Sequence, residues 1–247
     1  STPSNSSAAS DVYKRQGSKK ELFAQAATIP GVYVPSLYQV EYEADGTIKS
    51  IIPGSPQACP SIERRIVSRM PPVVTSPVVP YIEVVHDRGV VEIQRGCSRG
   101  CRFCQAGIIY RPVRERPREE VMQAVAEIIA NCGYDEVSLL SLSTSDYPGI
   151  GELVADLVRR HPDLAVSLPS LRLDSSSVKL VDSLPNRRKT GLTFAPEVGS
   201  ERLRRVINKN TPEDETLKTT AAAFARGWTG IKLYFMLGLP AETMDDI

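Results

Sequence analysis

Three of the five cysteines in this 247-residue chain stand close together, at Cys97, Cys101 and Cys104. Glycines at positions 96 and 100 allow the backbone of this C-x3-C-x2-C stretch to curl tightly. Thiolates are soft ligands that suit iron–sulfur clusters, and three of them can each bind one iron of a 4Fe-4S cubane. The fourth iron then lacks a protein ligand, so the amino and carboxylate groups of a small molecule can chelate it.

Two other types of site use clustered cysteines. A zinc site needs four ligands, and neither His86 nor His161 has a familiar zinc spacing to the cluster. A redox pair could form between Cys101 and Cys104, although such motifs do not need a third cysteine. We expect the remaining two cysteines to be buried apolar thiols; they are Cys59 and Cys132.

The composition is that of an ordinary globular protein, with 41% hydrophobic and 24% charged residues and a net charge of +1. This balance gives no overall electrostatic indication of a nucleic-acid or membrane partner. No apolar run approaches the roughly 20 residues that span a bilayer, and the N-terminus has no signal-like apolar region. We therefore predict a cytoplasmic protein with no membrane partner, in which thiols stay reduced.

The N-terminal third divides into two predicted segments. Residues 1–20 are rich in Ser, Ala and Lys, which predicts a disordered or artefactual leader. Residues 21–88 form a predicted accessory segment, in which strands at Tyr38–Tyr42 and Thr47–Ile52 flank a hairpin signal at Asp45-Gly46. A proline-rich connector completes this segment.

Residues 89–247 alternate between strand and helix patterns, which is typical of βαβ units with a parallel sheet. Five such strands favour an α/β fold, a partial (β/α)6-type barrel truncated after its fifth strand. A last helix would begin at Thr243, only four residues before the final Ile247, so we expect a fragment. The predicted strands are 90–95, 137–143, 165–169, 191–195 and 230–236, and the predicted helices are 117–131, 150–158, 175–183, 201–207 and 213–226.

The predicted strands have one face of small and polar residues. Leu192 and Phe194 share the apolar face of the fourth strand, which helices should cover. The other face would line a lumen, and ligands of such folds sit near the C-terminal strand ends. The residues on this face include Glu92, Gln94, Ser141, Ser143, Thr193, Ala195 and Glu197.

The cysteine spacing, with Phe103 just before the last cysteine and a strand before the loop, resembles the radical S-adenosylmethionine superfamily. Three longer stretches are similar to a branch of uncharacterised bacterial radical proteins, related to cobalamin-binding and methylthiotransferase-like groups. These stretches are Tyr81–Arg116, Phe194–Asn210 and Lys232–Thr243.

The resemblance implies an enzyme that uses a 4Fe-4S cluster and S-adenosylmethionine. Family members reduce the bound cofactor by one electron, from a donor such as flavodoxin or ferredoxin, and form a 5′-deoxyadenosyl radical. That radical takes a hydrogen atom from a substrate, which the sequence does not name. Cobalamin is not supported, since the chain has no Asp-x-His-x-x-Gly loop.

The resemblance also carries family roles onto single positions around the cysteines. Cys97, Cys101 and Cys104 match the cluster ligands, and Phe103 matches an aromatic residue near the adenine. Leu239, in the Gly-Leu-Pro stretch after the fifth strand, matches a backbone segment that meets the adenine. No catalytic residue is assigned.

Further family roles fall on polar residues at the strand ends. Ser141 and Ser143 stand where the family has a glycine-rich stretch that holds the methionine amino group, which is a departure from the pattern. Arg172 would meet the cofactor carboxylate, with an ion pair to Asp174 as the alternative. Glu197 matches a polar residue that contacts ribose or methionine, with a charge near the following helix as the alternative.

Seven arginines lie between positions 95 and 118, beside a single acid, Glu115. Such a patch could hold a phosphate backbone, which makes RNA or a ribonucleoprotein a candidate substrate. Alternatively, the arginines pair with acids such as Glu119 and Glu120 or tune the cluster potential. Two other hypotheses stay open: a non-catalytic iron–sulfur or zinc sensor module, and an RNA-binding module with a structural cluster.

Overall fold

The computed structural model describes residues 18–82, 84–182, 184 and 191–247. The chain divides into two compact units, one ending at Val67 and the other running from Ser68 to Ile247. Residues 1–17 of the predicted leader lie outside the described part. Helix α1 (Lys19–Ala27) begins within the last residues assigned to that leader, and Ser18 caps it in a reciprocal capping box with Glu21. The division into leader, accessory segment and core stays a prediction.

The N-terminal unit contains the expected hairpin. Strand β1 (Tyr38–Tyr42) pairs antiparallel with β2 (Ile48–Pro53), which confirms both strands. The turn depends on Gly46, whose φ of +85° favours glycine. The backbone N–H of Thr47 donates to Asp45 Oδ1 at 2.9 Å, so the Asp-Gly signal formed the predicted turn.

The C-terminal unit is built on two parallel sheets. Strands β3 (Gly89–Glu92), β6 (Glu136–Leu140) and β7 (Ala165–Ser167) form one sheet with β6 in the middle. Strands β8 (Leu192–Glu197) and β9 (Ile231–Phe235) form the other. The five expected parallel strands are therefore present, but within the described ranges no ladder joins β7 to β8.

The first predicted strand, 90–95, is interrupted. It continues beyond Ile93 as β4 (Gln94–Arg95), which turns to pair antiparallel with β5 (Arg114–Glu115). The backbone N–H of Ile93 still donates to the Leu140 carbonyl at 3.0 Å, so the change of partner occurs within one residue. The prediction of one uninterrupted strand was wrong because pairing with β5 comes from a distant segment that local patterning does not reveal.

Helices alternate with these strands as the sequence indicates. The short helix α2 (Ala106–Ile109) was not predicted, while the other helices lie within a few residues of their expected bounds. They are α3 (Arg118–Cys132), α4 (Ile150–Arg160), α5 (Ser175–Asp182), α6 (Glu201–Val206) and α7 (Glu213–Ala225).

The largest hydrophobic core lies between α3, α4 and the three-stranded sheet. Val125 and Ile128 on α3 meet Val91 and Leu139 of the sheet and Leu157 on α4, and all five are at most 1% exposed. A second cluster buries Leu192 and Phe194 of β8 against α7, as the predicted apolar face requires. Packing of these faces supplies most of the stability of such short helices.

Two predicted strands end early, and the last predicted helix is absent. The second strand stops at Leu140 rather than residue 143, and the third stops at Ser167 rather than residue 169. Ser and Thr hydroxyls after Leu140 bond locally and so compete with ladder pairing. The segment expected to start a helix at Thr243 is a 3-10 turn, Met244–Asp246.

None of the helices in the described part of the chain combines the length and the apolar character needed to cross a bilayer.

We expect Leu139→Ala to lower the free energy of unfolding by about 2–5 kcal/mol, because it opens a cavity at a fully buried position in the central strand. The matched control is Leu217→Ala, on an α7 side chain that is 66% exposed. It should change the free energy by less than about 0.5 kcal/mol in urea titrations. Equal effects of the two substitutions would contradict this packing.

Candidate metal centre

The cysteine loop leaves and re-enters the fold through one small ladder. Strands β4 and β5 pair at its base, so residues 96–113 form a closed excursion. Gly96 has a φ of +91°, and a Cβ on it would lie 2.5 Å from the carbonyl oxygen of Tyr110. Only glycine fits this crossing, which explains why it precedes Cys97.

The three thiols of the loop lie close together and are partly exposed. The backbone N–H of Gly107, on α2, donates to Cys104 Sγ at 3.3 Å. Burial raises the pKa of the Cys101 thiol, Lys209 opposes this, and the thiols of Cys104 and Cys97 raise it further. The Cys101 thiol therefore lies within electrostatic range of the other two thiols.

This donor set fits a cluster. Among the described residues, no three His, Cys, Asp or Glu side chains converge as they would around a single metal ion. The ligands of a cubane need not converge in this way, because each binds a different iron. A backbone N–H donated to a thiolate sulfur is one of the contacts that tune such clusters. Cluster ligation by Cys97, Cys101 and Cys104 stays a prediction.

One side of the loop is anchored to the segment after β6. Arg99 forms a two-point ion pair with Asp146, with Nε donating to Oδ2 at 2.8 Å. Arg111, later in the loop, donates from Nε to the Cys97 carbonyl at 3.2 Å. These contacts hold the first half of the loop against the edge where the parallel strands end.

The other side is anchored to the end of α6. The backbone N–H of Arg102 donates to the Ile207 carbonyl at 2.9 Å. The side-chain amide of Asn208 donates to the carbonyls of Gly100 at 2.9 Å and Arg99 at 3.3 Å. Sequence reasoning missed Asn208, although an asparagine just after a helix is a known signal for a helix C-terminus.

Comparison with known proteins identifies the family. The model of the Radical SAM superfamily matches residues 91–247, from β3 to the last residue. The chain belongs to the radical SAM superfamily. The predicted resemblance is thereby confirmed, and the fold is an α/β fold of that superfamily. The partial-barrel description stays a prediction.

Individual radical SAM relatives share part of their length with this chain. Uncharacterized protein MJ0966 of Methanocaldococcus jannaschii is 40% identical over 160 residues, which are 64% of this chain and 34% of the relative. The tRNA-2-methylthio-N(6)-dimethylallyladenosine synthase of Carboxydothermus hydrogenoformans is 22% identical over 182 residues, 68% of this chain and 41% of that enzyme. The chain thus spans about a third to two fifths of these relatives.

A solved radical SAM structure supports the fold. The cobalamin-dependent S-adenosylmethionine radical enzyme OxsB, with aqua-cobalamin and S-adenosylmethionine bound, aligns with a TM-score of 0.54 at 13% identity. The alignment covers 84% of this chain and 30% of that one. At this identity the likeness concerns the fold alone.

Asp146 is the centre of a polar network in the segment after β6. Ser143 Oγ donates to Asp146 Oδ2 at 2.7 Å, and Arg172 lies 3.5 Å from Oδ1. Burial raises the pKa of the Asp146 carboxyl, but hydrogen bonds from Arg99 and Ser143 outweigh it and hold that pKa at about 2. Asp146 is therefore ionised and already paired at neutral pH.

Both predicted serine sites lie in the loop after β6 rather than on a strand. Ser141 and Ser143 are 5% and 4% exposed. Ser141 Oγ lies 2.9 Å from Thr144 Oγ1, and Ser143 bonds to Asp146. The prediction that these serines line a strand face was wrong, because the strand stops at Leu140; their roles toward the cofactor stay predictions.

Arg172 has two acidic neighbours, and neither contact is short. Its Nη1 lies 3.5 Å from Asp146 and 3.8 Å from Asp174, the alternative partner that the sequence suggested. The side chain is about one-third exposed, at 32%. Its proposed contact with a cofactor carboxylate therefore stays a prediction.

Glu197 ends β8 with a φ of +74°, a left-handed conformation that is rare outside glycine. Its carboxylate accepts a hydrogen bond from Lys209 Nζ at 2.7 Å and is mostly buried. Of its predicted lumen-side neighbours, Thr193 is exposed and Ala195 is half-buried, so the alternation of the strand is confirmed. Lys209, which lies between this carboxylate and Cys101, was missed.

The two predicted adenine contacts lie in different surroundings. Phe103 is 38% exposed and is available at the surface of the loop. Leu239 packs against the cluster of Val198, Leu203 and Ile207, and its N–H donates to Glu242 Oε2 at 3.0 Å. The side chain of Leu239 thus has a packing role, and its backbone role stays a prediction.

The seven arginines between positions 95 and 118 all bond to groups within the protein. Carboxylates pair with Arg95, Arg99, Arg116 and Arg118, and Arg116 is only 4% exposed. Of the two expected acidic partners, Glu120 pairs with Arg116 at 3.2 Å. The other members of the run donate to backbone carbonyl oxygens; they are Arg102, Arg111 and Arg114.

The other two cysteines depart from the prediction of burial. Cys59 is exposed, in the N-terminal unit, and Cys132 is half-buried at the end of α3. Cys132 Sγ lies 3.9 Å from the Thr75 carbonyl. Neither belongs to the cysteine loop, which makes both suitable as control positions.

We expect Asp146→Asn to lower the free energy of unfolding at pH 7 by about 2 kcal/mol, because linkage converts a pKa drop from 3.8 to about 2 into that amount. A carboxyl whose pKa is lower in the folded state stabilises the fold at pH values above its unfolded pKa of 3.8. The difference in unfolding free energy between Asp146→Asn and wild type should therefore narrow as pH falls from 5 to 3. Urea titrations across that range measure it. The control Asp214→Asn, at an exposed ion pair, should change little. A difference in unfolding free energy that does not change with pH would contradict the depressed pKa of Asp146.

Proposed function

We propose that this chain is the cofactor-binding part of a radical SAM enzyme, with a 4Fe-4S cluster on Cys97, Cys101 and Cys104 and S-adenosylmethionine at the open iron. The supporting observation is the geometry of the loop: three neighbouring, partly exposed thiols held from both sides at the ends of parallel strands. When bound, these groups supply one-electron cleavage of the sulfonium to methionine and a 5′-deoxyadenosyl radical.

The chain's own residues would position the bound groups and balance their charge. Gly107 donates its N–H to Cys104 Sγ, and Lys209 places a positive charge near Cys101. Arg172, with only long contacts to acids, is the candidate to bind a ligand carboxylate. Glu197 and Phe103 are the candidates to contact ribose and adenine. An external donor such as flavodoxin or ferredoxin would supply the electron.

We expect Cys101→Ala to bind no stable 4Fe-4S cluster after anaerobic reconstitution, since it removes one of three protein ligands. Iron and sulfide content and visible absorbance measure this. With dithionite and S-adenosylmethionine, wild type should form 5′-deoxyadenosine and the variant none.

The matched control is Cys132→Ala, whose thiol lies outside the loop. It should retain both cluster and product. Tight uptake of one zinc and no iron by the wild-type protein would overturn the proposal. An intact cluster without 5′-deoxyadenosine would favour the sensor module, which the family match does not support.

The substrate class has one supported candidate, RNA or a ribonucleoprotein. Relatives that match this chain include synthases named for a modified tRNA nucleoside. Arg102 and Arg111 are exposed on the cysteine loop, and their hydrogen bonds go to carbonyl oxygens within the described part of the chain. No carboxylate of the described residues pairs with either guanidinium, so both charges could meet phosphates.

We expect Arg102→Gln with Arg111→Gln to reduce the salt dependence of RNA binding, by about one unit of log–log slope for each charge that contacts phosphate. Gln keeps an amide donor for the carbonyl partners. Fluorescence anisotropy with a labelled tRNA over a salt series measures the slope. The control is Arg69→Gln, which removes an exposed charge paired with Glu120. A double variant that behaves like this control would remove RNA from the candidates.

A further inference from the structure

Helix α6 ends in a motif whose left-handed position is occupied by asparagine rather than by glycine. The N–H of Lys209 donates to the Arg204 carbonyl at 2.8 Å, and that of Asn208 donates to the Arg205 carbonyl at 3.1 Å. This is the Schellman pattern, in which the residue after the cap is left-handed. Asn208 has a φ of +56°, at a position where glycine has the least strain.

The side chain of Asn208 makes contacts that a glycine could not make. Its Nδ2 donates to the carbonyls of Gly100 and Arg99, more than 100 positions earlier in the chain. Gly100 is itself left-handed, with a φ of +71°, and a Cβ on it would lie 3.4 Å from that same nitrogen. A glycine at 208 would end the helix equally well but would leave these two carbonyls without their donor.

The helix end also binds the loop on the other side of Cys101. Helices leave their last carbonyls free, and here Ile207 accepts the Arg102 N–H at 2.9 Å. The Arg102 guanidinium donates to the Val206 carbonyl, which places a positive charge at the negative end of the helix. Bonds from α6 therefore flank Cys101 directly, at the residue before it and the residue after it.

The base of this attachment is well buried. Leu203 is fully buried and Ile207 is 4% exposed in a cluster with Val198. Arg204, 3% exposed, donates to three backbone carbonyls around the helix. The end of α6 is thus a buried base to which the cysteine loop is attached.

We propose that Asn208 is a positioning residue that fixes Cys101 from the end of α6 and so preforms the cluster loop before any metal binds. This inference rests on the proposed function for its cluster, but the loop geometry can be tested without one. Asn208 would act through the backbone of residues 99–102, to which its side chain donates.

Two substitutions isolate the amide of Asn208. Asn208→Gly keeps the left-handed helix end and removes the side chain. Asn208→Asp keeps the shape but replaces the donor with a carboxylate that faces carbonyl oxygens. The matched control is Asn131→Asp on α3, where Nδ2 donates to the Thr75 carbonyl at 3.1 Å and Ser76 Oγ at 3.0 Å.

The first readout is iron release from the reconstituted protein to a ferrous chelator. Loss of the amide bonds should make release roughly threefold to tenfold faster in both Asn208 variants. S-adenosylmethionine should alter the electron paramagnetic resonance spectrum of the reduced cluster differently in the Asn208 variants and in wild type. Asn131→Asp should match wild type in both. Faster release in Asn131→Asp, or in Asn208→Asp alone, would overturn the inference.

The second readout uses metal-free protein and separates the two proposals. Hydrogen exchange of the Arg102 amide, which donates to Ile207, should be faster in both Asn208 variants than in wild type. Unchanged exchange would refute the positioning role even if a cluster binds. A wild-type protein that takes up no iron would refute the proposed function, whereas the exchange result would still decide the role of Asn208.

Discussion

The stretch between β4 and β5 must keep three thiols accessible while its backbone polar groups find partners elsewhere. Outside the short helix α2 this stretch has no regular structure, and buried backbone groups left unpaired are costly. The fold meets this constraint with side chains from outside the loop. Asn208 donates to the carbonyl of Gly100, just before Cys101. Asp146 forms an ion pair with the side chain of Arg99. Asp146 lies in the segment after the parallel strand β6, where this fold gathers functional groups, whereas Asn208 lies just after helix α6.

Charge is balanced around the loop by the same contacts. Asp146 neutralises Arg99, Glu92 pairs with Arg95 at 2.6 Å, and Lys209 is shared between Glu197 and the neighbourhood of Cys101. A cluster with thiolate ligands carries negative charge, and nearby cations influence its potential. A run of arginines that suggests a nucleic-acid surface in the sequence therefore belongs mainly to the support of the site. Its exposed members Arg102 and Arg111 donate to backbone carbonyl oxygens.

Much of the fold could be predicted because its signals are local. The burial of Val125 and Ile128 follows from helical spacing, and that of Leu192 and Phe194 from strand alternation. The cysteine motif identifies the candidate site because its spacing lies within one short loop. The early end of the second strand could not be read in this way, since Thr144 and its neighbours form side-chain bonds whose advantage over ladder pairing depends on tertiary contacts.

The residues that sequence reasoning missed share one property: they act over long separations. Asn208 and Arg99 are 109 positions apart, and Arg99 and Asp146 are 47 apart. No local pattern links such pairs, although each partner carries a local signal of its own. Asn208 marks a helix end and Gly100 marks a sharp bend, and the two left-handed residues meet. An asparagine where glycine would cost less strain is thus a signal worth following, because its side chain must compensate for the backbone conformation it adopts.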